Sequence, residues 1–226
     1  MSMLDKNKHR EIMYSILRDI FSSDLGKYLA FKGGTACYFF HGLDRFSTDL
    51  DFDLVDQKVW DIDEQIIEVL KKYGDVKIWK YNIILSYETE SVNVKIDISR
   101  NIRKHNIYEI KSLYGVDIKT QAESTIFANK LVALTERNTN RDIYDVYFFL
   151  KKHWNINENI IKERTWKTKW ELLEQIIEKL KNLPKNYKIL DWLGEVLNEK
   201  QKHFVSHKLL VELIGILEFE RDFAGR

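Results

Sequence analysis

The residues of this chain best suited to chemistry stand in one stretch, Phe31 to Asp53, FKGGTACYFFHGLDRFSTDLDFD. It reads as a strand, a two-glycine turn, a short helix, and a second strand carrying Asp49 and Asp51. Side chains on a strand alternate faces, so these two carboxylates point the same way. Like charges that close repel unless a cation lies between them. A divalent metal is the usual cation, and Mg²⁺ takes oxygen ligands while keeping positions open for phosphate oxygens. The Gly33-Gly34 turn can bring backbone N–H groups close to those phosphates. One segment therefore offers both halves of a nucleotide site.

Two further elements extend it. A third acid on a neighbouring strand would complete a two-metal cradle for phosphoryl or nucleotidyl transfer. The strand VNVKIDIS offers Asp97, which faces away from its apolar neighbours Ile96 and Ile98. Asp53 shares the parity of Asp49 and Asp51 but lies one pair further along, and it reads as structural. Glycine pairs mark many turns; this one ends a strand and opens a helix, whose N-terminus carries unpaired N–H donors and partial positive charge. Thr35 adds a hydroxyl donor, and Arg45 and Ser47 could hold phosphate oxygens or brace the loop. Downstream, NKLVALTERNTNRDIYDVYFF sets Lys130, Arg137, Arg141, Asp142 and Asp145 on two successive helices. Lys130, Leu134 and Arg137 form one stripe, and Arg141 and Asp145 are four apart. Spacing alone fits a salt-bridged helix hairpin as well as a functional site.

Periodicity supplies the elements that must position these groups. Helices are expected over 5–22, 35–41 and 57–73, and strands over 28–31, 48–55, 75–81, 83–88 and 92–99, with short ones at 107–111 and 116–120. Beyond residue 121 the pattern is helical: 122–137, 141–153, 168–182, 187–198 and 204–220. The single proline, Pro184, falls between two of these helices. An α/β half over residues 1–120 followed by a helical half over 121–226 is the organisation expected, with no linker rich in Pro or Gly between them.

Composition is that of a folded protein: 226 residues, 44% hydrophobic, nine glycines, one cysteine and a net charge of +1. No run approaches the roughly 18 to 20 apolar residues of a membrane span. The N-terminus is charged and amphipathic, without the apolar core of a signal peptide, and Cys37 alone forms no internal disulfide. These features imply the cytoplasm and no membrane partner. Basic residues gather at Lys162, Arg164, Lys167 and Lys169 and again at Lys179, Lys181, Lys185 and Lys188. They could serve a nucleic-acid backbone, but a solvated helix face is the plainer reading. Among the histidines only His203 and His207 have ligand-like spacing, and no acid accompanies them in the same motif. Cys37, Trp154, Trp166, Trp170 and Trp192 read as packing residues, with base stacking on RNA the second reading for one of the tryptophans.

With these pieces assembled, the chain resembles the nucleotidyltransferase-fold toxins of the AbiEii/AbiGii type, a group that includes the MenT toxins and the domain family formerly called DUF1814. The matching pieces are Gly33-Gly34-Thr35, Arg45-x-Ser47-x-Asp49-x-Asp51, Lys130-x-x-Ala133-Leu134-x-x-Arg137 and Arg141-Asp142-x-x-Asp145. The usual Gly-Ser of the first motif is Gly-Gly-Thr here, which keeps a hydroxyl. The resemblance implies an α+β fold: a polymerase-β-like nucleotidyltransferase domain with a mixed sheet, then a helical bundle that completes the active-site cleft. It implies a nucleoside triphosphate substrate, one or two Mg²⁺ ions on Asp49 and Asp51, with Asp97 from the strand reading as the third metal candidate, an acceptor such as the tRNA 3′ end, and a cognate antitoxin. By position it makes Lys130 the lysine that contacts the triphosphate and Asp142 or Asp145 an essential acid. Gly33, Gly34, Thr35, Arg45, Ser47, Arg137 and Arg141 then bind the nucleotide. A transferase acting on a protein or small molecule, or a non-catalytic nucleotide- or RNA-binding module, is the alternative.

Overall fold

The computed structural model describes residues 5–88, 93–137 and 139–224. The chain forms two compact units. One comprises the described residues of Met1–Ile102 and Tyr108–Gln121, the other those of Arg103–Ile107 and Ala122–Arg226.

Among the described residues the first unit is a mixed seven-stranded sheet with three α-helices and a 3₁₀ turn at Asp24–Lys27. In chain order these are α1 (Lys6–Phe21), β1 (Leu29–Lys32), α2 (Gly33–Phe40), β2 (Asp49–Leu54), α3 (Ile62–Leu70), β3 (Asp75–Trp79), β4 (Asn82–Ser86), β5 (Asn93–Ser99), β6 (Tyr108–Leu113) and β7 (Val116–Gln121). The strand order is β3-β4-β5-β2-β1-β7-β6. β2 lies near the centre, antiparallel to β1 and parallel to β5. Alternation then sorts the side chains. Leu50 and Phe52 of β2, Ile83 and Leu85 of β4, and Val94 and Ile96 of β5 turn to one face and are buried. Phe52 meets Phe21 of α1 and Phe31 of β1 there, with ring centroids 6.3 and 5.5 Å apart. α1 contributes Met13, Ile16, Leu17 and Ile20, an i, i+3, i+4, i+7 stripe, and Asp5 caps it by accepting from the Asn7 and Lys8 amides. The acidic residues of β2 are left on the opposite face.

The second unit is helical: α4 (Glu123–Glu136), α5 (Asn140–Lys151), α6 (Glu158–Thr165), α7 (Lys169–Lys181), α8 (Glu199–His207) and α9 (Leu209–Ala224). Capping boxes start α7 at Thr168/Glu171 and α8 at Asn198/Gln201.

The structure departs from the periodicity in several places. α2 opens at Gly33 itself, so the glycines form its first turn. α3 starts only at Ile62, five residues later than its pattern. The strand expected over 92–99 is seen from Asn93, residue 92 lying outside the described residues. Residues 187–198 form turns and a 3₁₀ segment at Gly194–Val196 rather than a helix. There the Lys188 and Asp191 carbonyls accept from Asn140 Nδ2, at 2.9 and 3.1 Å, and Trp192 sits at φ 60°. The span 204–220 is two helices broken at Lys208, which lets Leu209, Leu213 and Leu217 bury as an i, i+4, i+8 line. α6 has no counterpart in the periodic reading. Trp154 packs on Phe149, centroids 4.3 Å apart, but Trp166, Trp170 and Trp192 are exposed, at 89%, 43% and 76%, which corrects their reading as packing residues.

Candidate active site

The sheet register gathers the acids. Asp49 and Asp51 alternate along β2, and the parallel pairing with β5 sets Asp97 directly opposite Asp51 and Lys95 opposite Asp49. All four therefore share the face turned away from the apolar core. Lys95 Nζ lies 3.8 Å from Asp49 Oδ2. Burial pushes the Asp51 carboxyl up to about 6, and the Asp49 and Asp97 charges add to it, while Lys95 and Lys32 pull the other way. The half-buried Asp51 thus sits in a field short of positive charge.

The glycines have distinct steric duties. Gly33 holds φ +78°, and a Cβ there would stand 2.5 Å from Asp51 Oδ2. A side chain cannot occupy that position while the carboxylate stays where it is. A Cβ on Gly34 would stand 2.7 Å from Arg45 Nη2 and 3.1 Å from Ser47 Oγ. The second glycine therefore admits the buried guanidinium of Arg45, which donates from Nη1 to the Phe46 carbonyl at 3.1 Å.

Thr35 is fully buried, its hydroxyl bonded to the Asp49 carbonyl and lying 2.8 Å from Ser47 Oγ. The carbonyl can only accept, so the Thr35 hydrogen goes there and Ser47 donates to the Thr35 oxygen. Ser47 meets the Thr35 hydroxyl between the first turn of α2 and the start of β2, and the Arg45 guanidinium packs beside Gly34; both contacts fit the bracing role open to these residues in the sequence. Thr35 joins them. No side chain caps the N-terminus of α2 at Lys32, so the amide donors of its first turn are not taken up by a side-chain cap.

Asp53 belongs to a different network. It is buried and bonded to Lys32 Nζ at 2.7 Å, Tyr108 OH at 2.9 Å and Gln121 Nε2 at 2.6 Å. These contacts join β2, β1, β7 and β6. Periodicity passed over three neighbours of the site. Lys95 stands two residues before Asp97 on the same strand face, a spacing that strand alternation could have flagged. Lys32 immediately precedes the glycines. His9 of α1 is buried, with Nε2 3.0 Å from the Thr48 carbonyl and Nδ1 2.6 Å from Tyr87 OH. The carbonyl requires Nε2–H; burial favours the neutral ring, and in that ring Nδ1 accepts from the tyrosine. Burial lowers its pKa accordingly.

In the helical unit, Lys130 of α4 reaches two acids of α5, Asp142 Oδ1 at 2.6 Å and Asp145 Oδ2 at 2.8 Å. Arg137 Nε adds a bond to Asp142 Oδ2 at 2.7 Å. Both carboxylates are buried, and the lysine is only 14% exposed. This is the salt-bridged hairpin that the spacing allowed, built from the very residues the motif singles out. Arg141 donates from Nε to the Trp192 carbonyl at 3.1 Å. The basic clusters of this unit are largely engaged: Arg164 with Glu136 and Asn129, Lys169 with Glu220, Lys181 with Glu218, and Lys179 with the Leu134 and Arg137 carbonyls at the end of α4. His203 and His207 stack on each other, centroids 4.4 Å apart.

Two comparisons give this geometry a context. The family model described as "Nucleotidyl transferase AbiEii toxin, Type IV TA system" matches residues 15–207, a span that includes every motif above. The chain belongs to this family. As an AbiEii protein it is a nucleotidyltransferase, the toxin of a type IV toxin–antitoxin system, and the family implies a nucleoside triphosphate substrate and a cognate antitoxin. The fold resembles that of JHP933 from Helicobacter pylori, 22% identical, with a TM-score of 0.65 over 99% of this chain and 95% of that one. It also resembles MenT4, a nucleotidyltransferase toxin from Mycobacterium tuberculosis, 16% identical, with a TM-score of 0.56 over 94% of this chain and 93% of that one. The comparison with curated proteins finds no match. Among the described residues, no helix is long and apolar enough to cross a membrane.

Proposed function

We propose that this AbiEii toxin moves a nucleoside monophosphate from a nucleoside triphosphate to the 3′ end of tRNA in the cytoplasm, with Mg²⁺ held by Asp49 and Asp51. The observation that carries the reading is the β2–β5 register, which sets Asp97 opposite Asp51 beside Asp49 on the face of the sheet turned away from its apolar core. The donor set suits a hard divalent cation, and the raised pKa of Asp51 marks a place where added positive charge is favourable. Among the described residues no group of three or more His, Cys, Asp or Glu is gathered tightly enough to cage a metal. Mg²⁺ bound here would rest on one or two carboxylates and complete its shell with water and phosphate oxygens. Asp97 then acts as a further ligand or as a charge behind Asp51. When bound, the ion supplies charge neutralisation at the reacting phosphate.

The remaining roles fall to the chain's own groups. The first-turn amides of α2 bind phosphate oxygens, and Gly33 leaves room for the Asp51 carboxylate beside them. Thr35, Arg45 and Ser47 hold that turn against β2. Lys130 neutralises charge on the departing phosphates, an electrostatic contribution of the kind that dominates phosphoryl transfer. Asp142 and Asp145 fix its ammonium, and Arg137 and Arg141 add positive charge for the nucleotide. The test is incubation of purified protein with each labelled triphosphate, Mg²⁺ and total RNA. Label in the tRNA band supports the proposal. Label on protein or a small molecule moves the acceptor, and no label on any acceptor refutes the transfer.

A further inference from the structure

The face that carries the acids continues beyond them. One register row crosses four strands: Asp49 faces Lys95, Lys95 faces Ile84, and Ile84 faces Lys77. Cross-strand partners share a face, so Lys95 and Lys77 stand on the side of Asp49. Three strand spacings, about 14 Å, separate Asp49 from Lys77. Trp79 is two residues on from Lys77 and therefore on that face as well. It is 63% exposed and faces Asn82 across a two-residue turn. In that turn Lys80 takes φ 58° and holds its ammonium 4.9 Å from the Trp79 ring centroid. β3 is an edge strand, and Lys77 forms no ion pair with any described residue.

A strip of two lysines ending in an exposed indole, continuous with a pair of acids, matches one ligand chemistry. Single-stranded nucleic acid brings phosphates for the lysines and bases with π-faces for the tryptophan. A peptide adding to the β3 edge would use the backbone and both faces of the strand alike. We infer that this strip binds the single-stranded 3′ end of the RNA acceptor, with phosphates on Lys95 and Lys77 and a base stacked on Trp79. The inference rests on the acceptor proposed above and adds the path by which it reaches Asp49.

The experiment measures labelled-nucleotide transfer to a tRNA as a function of RNA concentration and of salt, for the wild type, Trp79→Ala, Lys77→Ala and Ile78→Lys. Ile78 is exposed on the opposite face of β3 and serves as the control. Trp79→Ala is expected to raise the KM for RNA about tenfold with kcat within about twofold, from the loss of one stacked base. Lys77→Ala should reduce the log–log salt slope of RNA binding by about 0.7, one phosphate contact on a single strand. Ile78→Lys should leave KM unchanged. Transfer to RNA with unchanged KM in Trp79→Ala and Lys77→Ala overturns the strip and leaves the acceptor standing. An equal loss in Ile78→Lys also overturns it, because a strand-edge partner would then be indicated. Label found only on protein or a small molecule overturns the acceptor and the strip together.

Discussion

Replacing Asp51 with Asn should make the metal-free protein more stable while removing its activity. The carboxyl is pushed from 3.8 up to about 6 in the folded state, first by burial, then by Asp49. The folded form therefore binds the proton more tightly than the unfolded form. Between about pH 4 and pH 6 the native state carries the extra proton, so stability falls as pH rises through that window, and the loss is complete above it. A shift of about two units corresponds to about 3 kcal/mol at pH 7 as an upper bound, and the partial exposure of Asp51 brings the figure nearer 1–2 kcal/mol. Asn keeps the shape and removes the charge. For a protein of this size the gain is about 2–8 °C in Tm. Melting curves of wild type and Asp51→Asn in EDTA, at pH 4 and pH 7, test it. The two should coincide at pH 4 and separate at pH 7, with the variant higher. A variant that melts lower at pH 7, or a difference that does not change with pH, refutes the electrostatic argument.

Three other substitutions separate structure from chemistry. Asp53→Ala removes the acceptor shared by Lys32, Tyr108 and Gln121 and should cost about 3–5 kcal/mol in denaturant unfolding, as expected for a broken buried pair. Lys130→Met leaves Asp142 and Asp145 without their shared cation; a comparable loss of stability is expected beside the loss of transfer, and raising temperature should inactivate this variant early. Gly33→Ala forces a side chain into φ +78° and toward Asp51 Oδ2. It should lose about 1–3 kcal/mol in thermal unfolding and at least tenfold in transfer rate, because the Asp51 carboxylate must move.

Much of the first unit was legible because its strands are punctuated. Alternation in TDLDFDL and VNVKIDIS sorts acids from apolar residues, and turn residues bound each run. Strand order and register were not legible. Nothing local states that β2 lies between β1 and β5, or that Asp97 pairs with Asp51 rather than slipping by two residues. Lys32 passes unnoticed for the same reason, since its meaning comes from cross-strand neighbours, whereas Lys95 shares the alternation of Asp97. The helical unit misled where apolar spacing continued through a break. Lys208 divides α8 from α9 without a proline or glycine to mark it, and residues 187–198 keep a helical pattern while Asn140 binds two of their carbonyls. Thr35 shows a further limit. Its hydroxyl is a plausible phosphate donor by type, and only the tertiary fold reveals that the Asp49 carbonyl takes its hydrogen.

The central claim is that nucleotidyl transfer depends on the acids of β2. It is tested most directly by incubating wild type and Asp49→Ala with each α-labelled triphosphate, Mg²⁺ and tRNA, alongside melting curves of both proteins. Asp49 is partly exposed and outside the apolar core, so the variant should melt close to the wild type and incorporate no label. Full incorporation by a folded Asp49→Ala protein would contradict the account.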